Sequence, residues 1–133
     1  MKYMLMMHGP RAGWANAGIG TWPPEDFKAH IGFMMRFNAE LREAGQLVGA
    51  EGLAGPEEAR VVRAKTNGEP AVTDGPFAET KEFLAGYWIV KVDSTEQAYA
   101  IAARASAAPG KGGAPLNMAI EVRQVMSAPP VDA

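Results

Sequence analysis

The sequence contains no cysteine. Disulfides, thiolate nucleophiles and zinc–thiolate sites are therefore excluded. Histidine is scarce too, with two in 133 residues. A three-histidine or two-histidine-carboxylate centre would need more ligands than such widely spaced residues give, so no structural metal is expected. Neither sign of charge dominates: 13 Lys and Arg stand against 15 Asp and Glu, a formal net charge of −2. No basic run occurs, which leaves nucleic acid no electrostatic footprint. Long hydrophobic runs are missing as well. The apolar run at residues 3–7 is too short for a signal sequence or a membrane span, and His8 and Arg11 follow at once. The chain reads as soluble and cytoplasmic. There is no G-x-G-x-x-G, no G-x-x-x-x-G-K-[ST] and no G-x-S-x-G, and no cofactor is implied.

What is present is an ordinary globular composition, 47% hydrophobic, in a length that suits one domain. Residues 1–126 are read as that domain and 127–133 as a flexible tail. KYMLMMH (2–8) is a compact apolar strand with both faces in need of cover. The glycine-rich stretch 9–22 carries Trp14 and Trp22 and reads as a lid or binding loop. Residues 23–45 predict a helix: prolines and acids open it, Phe27, Ile31, Met34, Leu41 and Ala44 recur at helical spacing with Phe37 beside them, and Gly45 closes it. Strands follow at 46–53, at two segments flanking Asn67-Gly68 as a two-residue hairpin, and at 83–92. Residues 94–108 predict a second helix, with Ser94 and Gln97 as a capping box and a narrow face of Ala98, Ile101, Ala102 and Ala105. GKGGAP reads as a loose linker, and 117–125 as the last strand.

This order gives an α+β, ferredoxin-like βαββαβ sandwich with a small β-hairpin insert. Both helices would cover one sheet face. The other face, expected to carry Met4, Met6, Ile120 and either Tyr87 or Trp88, cannot lie in water. A second copy of the chain is its simplest cover, so a homodimer is expected.

VTDGPFAETKE (72–82) poses the functional question. Asp74 before Gly75-Pro76 is a natural corner, its oxygen capping the N–H of Phe77. The same carboxylate at the mouth of a dry cleft would suit general-base work. His8, at the end of the first strand, is the natural proton-transfer partner for Asp74, although a strand-end histidine is often only a surface residue. His30 borders the helical stripe and reads as a boundary residue. Glu121 and Arg123 share one face of the last strand and must pair if that face is buried. Tyr87 supplies a hydroxyl nearby, and Trp14 with Trp22 could close over a ligand.

VTDGPFAETKE, followed by LAGYWIVKVDS and IEVRQV and preceded by LREAGQLVGAEGL, resembles the YciI-related proteins of the DGPF type. The resemblance runs from the first strand to about residue 126. It implies a dimeric α/β barrel. It also implies that a His and Asp pair in a cleft carries acid–base chemistry, as suspected in the wider YciI-like branch, with Asp74 at the matching aspartate. The reading that follows is a small-molecule enzyme performing proton abstraction, elimination or isomerisation. Asp74 and His8 would be catalytic, and Tyr87, Glu121, Arg123 and Trp14 would bind substrate. The alternative is a non-catalytic dimer that binds a ligand or a protein, with the DGPF turn purely architectural.

Overall fold

The computed structural model of the protein describes residues 1–11, 18–77 and 79–126. Strand β1 spans Lys2–Pro10, helix α1 Pro24–Glu43, β2 Leu47–Gly52, β3 Arg60–Ala64, β4 Pro70–Asp74, β5 Glu82–Lys91, helix α2 Thr95–Ser106 and β6 Ile120–Gln124. The order is the expected one. Four strands form an antiparallel sheet in the order β2-β5-β1-β6, and β3 with β4 forms a separate two-stranded sheet. Apart from that hairpin, the arrangement is the ferredoxin-like α+β fold. No helix among the described residues is long and apolar enough to cross a membrane. The expected tail at 127–133 lies outside the described residues.

The core lies between the sheet and its two helices. Tyr3 and Leu5 of β1 and Trp88 and Val90 of β5 meet Phe37 and Leu41 of α1. Leu5, Leu41 and Val90 are fully buried, each worth roughly 1.5–3 kcal/mol relative to exposure. Phe37 meets Trp88 edge-on at 5.8 Å, and the indole N–H donates to Asn38 Oδ1 at 2.8 Å, which removes the cost of burying it. The small face of α2 is buried as expected: Ala98, Ile101, Ala102 and Ala105 leave nothing to hold the helix off the sheet. Ser94 caps α2 by accepting the Gln97 N–H, while Gln97 Oε1 accepts the N–H of Asp93 rather than that of Ser94.

Four local readings change. On α1 the buried residues are His30, Phe37 and Leu41, with Met34 partly buried, while Phe27 and Ile31 are exposed. Met34, Phe37 and Leu41 face the core as expected, but in the first half of the helix His30 is buried in place of Phe27 and Ile31. The hairpin loop holds three residues, not two. Lys65 N–H donates to Glu69 O, Gly68 N–H donates to Lys65 O, and Gly68 takes φ +86°, which favours glycine. The GKGGAP segment is a closed loop: Gly110 N–H donates to Ala114 O, and Leu116 N–H to Ala108 O. Finally, Trp88 and Ile120 face the helices, so neither lies on the opposite face.

That helix-free face is set by strand register. Met4 pairs with Ile89 on one side and Arg123 on the other; Met6 pairs with Tyr87 and Glu121. Val122 and Ile120 point to the core, which leaves Glu121 and Arg123 on the helix-free side.

Candidate functional site

The DGPF corner is built first by its backbone. Asp74 ends β4 opposite Arg60 of β3. Gly75 N–H donates to Ala59 O at 2.9 Å, and a Cβ on Gly75 would meet the Ala59 carbonyl at 3.2 Å. A side chain there would press the two segments apart by a few tenths of an ångström. Beyond the corner, Arg11 reaches back from the end of β1. Its guanidinium donates to Phe77 O at 3.1 Å and its backbone N–H to Lys81 O at 3.0 Å. The corner therefore ties the hairpin to the main sheet. The Asp74 side chain is 97% exposed, and its carboxylate lies 3.7 Å from Arg60 Nε. Among the described residues it accepts no N–H from Phe77.

His8 sits past a β-bulge between Met7 and His8, opposite Leu84 of β5. Its Nε2 lies 2.9 Å from Glu121 Oε1. A carboxylate only accepts, so the ring donates Nε2–H and is held in orientation. Thus His8 meets Glu121, not Asp74. Glu121 in turn pairs with His8 rather than with Arg123, two residues along the same face.

His30 is the residue that the sequence ranked low. It is buried, and its Nδ1 lies 2.9 Å from Pro109 O in the loop after α2. A carbonyl only accepts, so Nδ1–H donates, and in the neutral ring Nε2 carries a lone pair. No fully buried side-chain nitrogen or oxygen among the described residues lacks a partner. The unpaired Nε2 therefore reaches open space, and the spaces that His30 lines are a cavity and an adjoining groove. Trp22 packs edge-on to the ring at 5.4 Å. One turn earlier on α1, Asp26 Oδ2 accepts the N–H of Gly112. The first half of α1 thus grips the 109–112 loop at two points.

The cavity has a volume of about 370 Å³ and is lined by both histidines. Trp22, Leu53, Leu116 and Met118 supply apolar wall. A second cavity of about 420 Å³ lies on the other side of His8, against Pro76 and Thr80 of the DGPF turn. Asp74 lines neither. Tyr87 and its β2 partner Glu51 border the groove beyond His30, although strand register sets both side chains on the helix-free face. Trp14 lies outside the described residues. Among the described residues no three of His, Asp and Glu converge as metal ligands.

The model of the YCII-related domain matches residues 1–114 of the chain. The chain belongs to that family. No curated protein matches it. In this YCII-related protein the matched segment holds both histidines, the Pro109 carbonyl and the whole DGPF corner, and Glu121 lies just past it. His30 carried one signal in the sequence: it stands 4, 7 and 11 residues before Met34, Phe37 and Leu41. That spacing marks the buried stripe of the helix. Nothing in the sequence pointed to Pro109 as its acceptor.

Proposed function

We propose that this YCII-related protein is an acid–base enzyme acting on a small molecule in the cavity between His8 and His30. The observation that carries the reading is that the only two histidines of the chain line one cavity, each with one ring nitrogen held by an acceptor. A ring fixed at one nitrogen presents the other in a defined direction, which is what proton transfer requires. His30 Nε2 takes a proton from the substrate. His30 then gives that proton back at a second position, giving isomerisation, or to a leaving group, giving elimination, while His8, its Nε2–H held by Glu121, accepts a hydrogen bond from the substrate at Nδ1. Asp74 serves as a corner residue. The helix-free sheet face, with Met4, Met6, Tyr87 and Ile89, joins two copies into a homodimer. Support for this is its run of apolar side chains across adjacent strands.

The test is exchange. A library of small carbonyl compounds is incubated with the protein in D2O and read by mass spectrometry. At least one compound is expected to gain deuterium with the wild type and not with His30→Gln. If no compound exchanges above the buffer rate, the enzyme reading fails and the non-catalytic binding dimer takes its place. Sedimentation of Ile89→Glu beside the wild type tests the assembly. The wild type is expected as a dimer and the variant as a monomer; two identical profiles would remove the sheet-face interface.

A further inference from the structure

The two histidines are the only titratable side chains on the described wall of the 370 Å³ cavity. Among the described residues no lysine, arginine, aspartate or glutamate lines it. The neighbouring spaces add charge of one sign only. Glu51 lines the groove beyond His30, and Glu58 and Glu82 line the cavity beyond His8. Glu121 is bonded to His8 itself. Among the described residues no lysine or arginine lines either neighbouring space.

The geometry points to a ligand that is uncharged, with an apolar body and one polar group able to donate to His30 Nε2; the cavity rejects anions. This rests on the proposed function in taking the same cavity as the site, but it does not need any proton to be transferred. An anion entering from water would lose its hydration and find no cation to replace it. It would also approach the carboxylates grouped around the cavity. A cation would be drawn by those same carboxylates but would lose its hydration at a wall that carries none of them, so it gains less than it gives up. A neutral molecule avoids both costs. Its apolar part meets Trp22, Leu53, Leu116 and Met118, and its donor meets the lone pair that the Pro109 carbonyl holds in place at His30 Nε2.

Three probes of one shape separate the cases: benzyl alcohol, benzoate and benzylamine. Each is titrated into the full chain at about pH 8, above the ordinary histidine range. The side-chain nitrogens of His30 and the indole N–H of Trp22 are followed by NMR. Benzyl alcohol is expected to shift these signals with an apparent Kd at least tenfold lower than that of either charged probe. Leu53→Arg, at a half-exposed wall position that tolerates a long side chain, is expected to bring benzoate to within about threefold of benzyl alcohol. Benzoate or benzylamine binding as tightly as benzyl alcohol to the wild type would overturn the inference while leaving proton transfer intact. So would the absence of any shift with all three probes. Selective binding of benzyl alcohol together with no deuterium exchange would instead sink the enzyme reading and leave the ligand class standing.

Discussion

The DGPF corner and the two-histidine cavity differ in what makes each visible. The corner is a run of consecutive residues with an unmistakable sequence, yet its carboxylate stands in water beside Arg60. Its glycine and its link to Arg11 do mechanical work, seating a hairpin against the main sheet. The cavity has no motif at all. It is assembled from β1, the turn before α1, α1 itself, the end of β2, β5 and the loop after α2. There, each histidine is held at one nitrogen, and both line a common space. A conspicuous string can mark a backbone constraint, while side chains far apart in the sequence meet where burial and hydrogen bonding converge.

The comparison breaks most easily at His30. His30→Gln is expected to lower deuterium exchange by roughly 10²–10⁴-fold, the usual worth of a positioned acid–base group. Loss of less than about tenfold, measured by mass spectrometry, would move the base elsewhere. Next comes the contrast in packing. Leu41→Ala, under the sheet, should lower unfolding free energy by about 2–5 kcal/mol in urea titration. Val62→Ala, on the exposed hairpin, should stay within about 0.5 kcal/mol of the wild type. Similar losses at both positions would mean that the hairpin is covered in solution.

Gly75→Ala sharpens the architectural half. The added methyl meets the backbone of Ala59, so a loss of about 1–3 kcal/mol is expected. An unchanged midpoint would show that the corner gives way freely. The smallest effect belongs to Asp74→Asn. Its side chain is exposed, so stability should change by less than about 0.5 kcal/mol. Deuterium exchange should stay within about twofold, a change below 0.5 kcal/mol in barrier height. A loss of exchange with folding intact would return Asp74 to the catalytic role that its motif first suggested.

Much of the fold was legible because its signals are local. Ser94 caps α2, the alanine face of that helix packs flat, and Gly68 takes the left-handed conformation in the hairpin loop. The site was legible only in its parts. His8, Glu121 and Tyr87 were all singled out, but the pairing of His8 with Asp74 was not what the fold brings together. The burial of His30 was not legible because the apolar stripe through Phe27 and Ile31 outweighed one that contains a histidine.

By itself, then, the amino-acid order determined which segments become strands and helices, their succession, and the position of the rigid corner. Periodicity, caps and turn residues act over a few neighbours and need nothing distant. Which groups face one another was decided only by tertiary structure. The His8–Glu121 contact spans 113 residues and the His30–Pro109 contact 79. Contacts of that separation depend on strand register and helix rotation, and both are set by how the whole core packs.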